Sequence, residues 1–138
     1  MCLTNETIAP GLVGEARVLV TEEQTARHLG SGGVNVFATP AMVRLMEEAA
    51  VKALVGHLPP GQQSVGVYLQ VRHLAPTPLG MTATARAELV AVEGRRLTFR
   101  VTVHDDVELV GEGTHERMMI DLARFGGRAV EKAERARR

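Results

Sequence analysis

Between Phe37 and Gly56 the chain reads FATPAMVRLMEEAAVKALVG, with apolar side chains at Met42, Val43, Leu45, Met46, Ala49, Ala50, Val51, Ala53 and Leu54. Apolar residues that run almost all the way round a helix mark one that is buried in a core rather than laid on a surface. Thr39 is expected as the N-cap with Pro40 at the first helical position. Gly56 is expected to stop the helix, and Pro59-Pro60 to bar its continuation. Arg44, Glu48 and Lys52 fall on one i, i+4 line and predict a solvated ion-pair stripe. Glu47 stands apart from that stripe. Its neighbours at three and four residues include Val43, Ala50, Val51 and Leu54, so its carboxylate is expected along an apolar face.

The flanking segments change period from helical to two. EARVLV, Glu15 to Val20, predicts a first strand, and Thr21-Glu-Glu-Gln24 is a capping-box pattern opening a short helix to about His28. Gly30-Ser-Gly-Gly33 leads into the long helix; it lacks the lysine of a P-loop, which leaves a connecting loop as the simpler reading. After Pro59-Pro60-Gly61, Val65, Val67, Leu69 and Val71 alternate and bring His73 onto the same predicted face. Met81, Ala83, Ala85, Ala87 and Leu89 form a third strand, Glu93-Gly94 a tight turn, and Leu97, Phe99, Val101 and Val103 a fourth strand. A last strand from about Val107 to Ile120 carries Gly111, Gly113, His115 and Arg117 on one face. Residues 123–138, rich in arginine and alanine, read as a solvated or fraying helix on a single domain spanning 1–138. One face of such a sheet must be covered, and only one helix is apolar enough to cover it. The expected architecture is α+β: a five-stranded antiparallel sheet wrapped around one long central helix, the hot-dog fold.

Composition removes several function classes. The 138 residues include 16 basic and 16 acidic side chains, a formal net charge of zero, and there is no Trp. That balance gives no global electrostatic case for nucleic acid, and three Phe with one Tyr give little to stack bases on. The N-terminal MCLTNETIAPG has neither a basic n-region nor an apolar run, so neither a signal peptide nor a membrane anchor is expected. A single cysteine, Cys2, has no partner for an internal disulfide and fits a reducing, cytoplasmic setting.

Four residue types could carry chemistry. A carboxylate at Glu47 among aliphatic side chains would be desolvated, which raises its pKa and suits it to proton transfer; the alternative is a pairing with a buried arginine or a tilt to solvent. His73 ends an apolar strand face and titrates in the range of general acid or base work, or else is a hydrogen-bonded core residue. Thr39 is either a helix cap or a hydroxyl presented where helix N–H groups stabilise negative charge. Arg117, beside two glycines, is placed to meet a ligand anion or thioester oxygen, or to pair with Glu47. His28, His57, His104 and His115 show no such setting. No pair has metal-ligand spacing, so no metal is expected.

The segments Val36-Phe-Ala-Thr-Pro-Ala-Met-Val-Arg-Leu-Met-Glu47, Ser64-Val-Gly66, Val71-Arg-His73, Ala75-Pro-Thr-Pro78, Val92-Glu-Gly-Arg-Arg96 and Gly113-Thr-His-Glu-Arg117 together resemble the fluoroacetyl-CoA thioesterase-like family of hot-dog proteins. The resemblance runs from about Gly11 to Leu122. It implies a homodimer, or a larger homo-oligomer, that hydrolyses a short acyl-CoA thioester to CoA and a carboxylic acid, with CoA as substrate and no cofactor. By the same resemblance Thr39, Glu47 and His73 are catalytic, while Gly66 and Arg117 contact substrate. Gly30, Gly32, Gly33 and Val34 stand where fluoroacetate-specific members carry bulky aromatics, so fluoroacetyl specificity is not implied. A non-catalytic acyl-CoA-binding domain and an enoyl-CoA hydratase or dehydratase are the alternatives. Thr39 and Glu47 are eight residues apart, roughly 12 Å of helical rise. A bent segment at Thr39, contacts across a dimer, or a gap filled by substrate and water would each reconcile them.

Overall fold

The computed structural model describes residues 8–138; the readings of Cys2 and of the first seven residues fall outside them. In chain order the elements are β1 (Val13–Leu19), α1 (Ala26–Leu29), α2 (Thr39–Ala53), β2 (Gln62–His73), β3 (Thr82–Glu93), β4 (Arg96–His104), β5 (Leu109–Asp121) and α3 (Leu122–Ala136). The strands form one antiparallel sheet in the order β1-β3-β4-β5-β2, and α2 lies on its inner face, chiefly over β1 and β3. The expected α+β arrangement of five strands around one long helix is what the chain adopts. The short helix expected from Thr21 is split into a 3₁₀ turn at Glu22–Gln24 and α1, because Thr25 opens a second start by accepting from the His28 N–H. No helix among the described residues is long and apolar enough to cross a membrane.

Small side chains set how closely helix and sheet approach. Gly14 and Ala16 on β1 pair with Ala87 and Ala85 on β3, and Ala49, Ala50 and Ala53 of α2 come down on this row. A Cβ added at Gly14 would overlap the Ala49 carbonyl oxygen and the Ala53 nitrogen, so no side chain fits there. Larger residues, Leu89, Leu97, Phe99, Val101 and Val103, fill the rest of the core.

Two faces differ from the alternating pattern. Along α2, Val51 is 44% exposed, and with Arg44, Glu48 and Lys52 it makes an outer stripe; no ion pair within 4 Å links the three charged residues. Along β2, the pairing with β5 skips Val67: Gly66 faces Arg117 and Tyr68 faces Glu116. This bulge shifts the inward face by one residue. Directly opposed residues share a face, so Gly66 before the bulge and Leu69, Val71 and His73 after it point inward. Val65 and Val67 therefore do not share the His73 face, and Val67 is 51% exposed. On β5 the expected set Gly111, Gly113, His115 and Arg117 does face inward, opposite Val103, Val101, Phe99 and Leu97.

Candidate active site

Ala38, with extended backbone, is the N-cap of α2, and Thr39 is its first helical residue. Thr39 is thus not the cap, and its hydroxyl makes no capping bond. It lies instead 2.7 Å from His73 Nδ1. The extended run before the helix is fixed from both sides, because Phe37 N–H donates to the Thr77 carbonyl and Ala38 N–H to the Gln24 carbonyl. Phe37, fully buried, meets the His73 ring edge to face with centroids 6.4 Å apart. Burial holds the His73 pKa below the ordinary histidine value, which favours the neutral ring. Its Nε2 is buried and without a hydrogen-bond partner. Beside the pair opens a cavity of about 360 Å³ lined by Ser31, Val34, Phe37 and Leu74 among others.

A second constellation lies two turns further along α2. The Glu47 side chain is 41% exposed, and its Oε2 is 3.8 Å from Nη1 of Arg117, which is almost wholly buried. Of the two readings of Glu47, the structure shows the pairing with a buried arginine and not a carboxylate wrapped in aliphatic side chains: Arg117 reaches it from the inner face of β5, opposite Gly66 and Leu97. Arg117 is held on its other sides, with Nε donating to Ser64 Oγ at 2.8 Å and Nη2 to the Ser64 carbonyl at 3.0 Å. His115, fully buried, lies 3.0 Å through Nδ1 from the Tyr68 carbonyl. A carbonyl only accepts, so Nδ1 carries the proton and Nε2 accepts from Arg117 Nη1 at 3.1 Å. Gly66 closes the group; a Cβ there would come within 2.7 Å of Glu47 Oε2 and 3.1 Å of His115 Cε1.

The structure thus brings Thr39 to His73, and Glu47 to Gly66 and Arg117, but does not bring the two groups together within one chain. Both ends sit on one helix, so a bent segment at Thr39 is ruled out. Among the described residues no group of three or more His, Cys, Asp or Glu could hold a metal ion.

A family model described as fluoroacetyl-CoA-specific thioesterase matches residues 20–123. The chain belongs to that family. It is 45% identical over 120 residues to the fluoroacetyl-CoA thioesterase of Streptantibioticus cattleyicolor, covering 83% of this chain and 86% of that protein. A crystal structure of a variant of the fluoroacetyl-CoA-specific thioesterase bound to fluoroacetate and CoA shares 44% identity, with 86% of this chain and 99% of that one covered and a TM-score of 0.80. A hot-dog-like protein from Thermanaerovibrio acidaminovorans matches at 28% identity and a TM-score of 0.84, over 93% of this chain and 95% of that one.

In this family member the residues that sequence reasoning passed over are Ser64 and His115. Both were readable: Ser64 sits two positions from Gly66 on the same face, and His115 two positions from Arg117. What hid them was a partner across strands, Arg117 for Ser64 and the Tyr68 carbonyl for His115, whose other bond is to Arg117 on its own strand. The buried His115 gives a test of its own. Burial is the largest influence on its pKa and, with the Arg117 charge, lowers it, outweighing the Tyr68 carbonyl and Glu47, which raise it. The unfolded chain therefore takes up the proton first as pH falls below about 6.5, and stability present above that pH is lost on acidification. In His115→Gln, whose amide can serve both partners, the decline in Tm between about pH 7 and pH 5 is expected to shrink by a few degrees. An unchanged decline would assign the loss to other groups.

Proposed function

We propose that this chain hydrolyses short acyl-CoA thioesters, releasing CoA and a carboxylate, at a site shared between two subunits. The observation that carries the reading is the Thr39–His73 contact, a hydroxyl freed from capping and set at 2.7 Å from a neutral imidazole at a helix N-terminus. His73 Nδ1 takes the proton as Thr39 Oγ1, or a water held by it, attacks the thioester carbonyl. The C–S bond then breaks as a proton passes to the departing CoA sulfur, and where Thr39 itself attacks, water cleaves the acyl-threonine to the carboxylate. First-turn N–H groups of α2, which the helix itself leaves free, face the developing oxyanion. Glu47 is the second proton-handling group. Arg117 aims it, and Ser64 and His115 hold Arg117, so Arg117 reads as a positioning residue.

The shared site follows from β2. It is a 12-residue edge strand with Val67 and Tyr68 exposed on it, and an unpaired edge of that length invites a partner. Antiparallel pairing of β2 with a second copy, centred near Leu69, sets His73 of the partner subunit against the Ser64–Gly66 segment. The buried Nε2 of His73, a donor without an acceptor, then meets Glu47 of the partner subunit, an acceptor with one long contact. In this reading the small acyl group enters the cavity at Val34 and Phe37. CoA is substrate, no cofactor takes part, and the lone Cys2 and CoA-thioester chemistry suit a cytoplasmic setting.

A thiol-release assay over a panel of acyl-CoAs tests it. Acetyl- or propionyl-CoA is expected to be cleaved with CoA and acid in equal amounts. Calorimetric binding of acyl-CoA with no thiol release would make the chain a binding domain instead.

A further inference from the structure

A cavity of about 410 Å³ lies at the far end of the sheet, where α3 leaves β5. Its walls carry three arginines, Arg95 from the β3–β4 turn and Arg124 and Arg128 one turn apart on α3, over an apolar floor of Met119, Ile120 and Phe125. None of the three arginines forms an ion pair among the described residues. The one acid in the lining, Asp121, caps α3 by accepting the Arg124 N–H at 3.1 Å. In a chain of zero net charge, three guanidiniums against one carboxylate are a local excess. Guanidiniums grip phosphate oxygens in pairs, and the half-exposed Phe125 ring offers a stacking face for a base.

Shared lining residues lead from this cavity toward the Glu47–Arg117 group. Val51 lines both the opening at Glu47 and a second trough, and Gln62 lines both that trough and the arginine cavity. From Arg117 to Asp121 is four residues of strand, about 13 Å. An extended pantetheine arm, with its two amide units, spans on the order of 15 Å, as four to five residues of extended chain do. We propose that the arginine cavity holds the nucleotide phosphates of CoA, with the pantetheine arm lying along the Val51 trough. The proposal rests on the reading of an acyl-CoA thioester as substrate.

Two measurements on the full chain test it. By calorimetry the parent is expected to bind CoA at least tenfold more tightly than pantetheine, and Arg124→Ala/Arg128→Ala to remove most of that difference. In turnover, the ratio of kcat/KM for acetyl-CoA over S-acetylpantetheine is expected to fall about tenfold in the same variant, through KM. Arg86→Ala, on β3 with Glu88 as its own partner, checks for a general effect of lost positive charge and should leave the ratio as it is. An unchanged ratio with unchanged CoA affinity overturns the proposal and leaves the thioesterase reading standing wherever both thioesters are cleaved. Arginine-dependent CoA binding without cleavage of either thioester overturns that reading and upholds the cavity's assignment.

Discussion

Glu47→Gln is expected to stop thiol release from acetyl-CoA, and adding chains of the equally inactive Thr39→Ala is expected to restore it. The first half follows from removing a proton-handling carboxylate, an effect of about 10²–10⁴-fold. The amide keeps the size of the side chain, and Arg117 stays anchored on Ser64 and His115, so the fold and the dimer should survive. The second half follows from the 3.8 Å and 2.7 Å contacts lying two turns apart on one helix. If each site joins Thr39–His73 of one subunit to Glu47 of the other, a mixed dimer has one site with both lesions and one with none. With random exchange of subunits, activity should recover to about a quarter of the parent's, since half the dimers are mixed and each has one good site. Measured thiol release that stays at the level of the separate variants would place the whole reaction within one chain.

The second large effect is on the fold. Gly14→Ala is expected to lower stability by about 3 kcal/mol or more, at the upper end of what overpacking does, because the added methyl meets backbone rather than a movable side chain. For a domain of this size that is a fall in Tm of about 10 °C. The same change at Gly56, an open turn position with φ of 83°, adds only local backbone strain, and thermal melts of the two variants side by side separate the causes. Similar losses for both would mean that the helix and sheet can part at Gly14 at little expense.

Much of this arrangement was legible in the sequence because it depends on period and punctuation. The apolar circumference of α2, the alternation at Ala83 to Leu89 and at Leu97 to Val103, and the Glu93-Gly94 turn all act within a few residues of one another. The errors came where a distant partner decides the outcome. Thr39 has the side chain of a cap, but Ala38 takes the cap position and His73, thirty-four residues away, takes the hydroxyl. Glu47 looked apolar by its helical neighbours, and the charge that answers it arrives from β5. The alternation of Val65 and Val67 with His73 failed because a bulge breaks no rule of composition and leaves no mark in a period count. The matched segments singled out Thr39, Glu47, His73, Gly66 and Arg117; which of them touch depends on how α2 lies against the bulged β2 and β5.

The bulge at Val67 has a consequence for reading relatives of this chain. Gly66 and His73 are seven residues apart, an odd spacing that on a regular strand would point them to opposite sides of the sheet. One extra residue turns that odd number into a shared direction, and both groups depend on it. A natural deletion of one residue between them would therefore be harmless only where the bulge vanishes with it, and an insertion of two only where it stays. Parity of the glycine-to-histidine interval, taken together with strand regularity, is thus a criterion by which sequences that keep the working geometry can be told from those that have merely kept the residues.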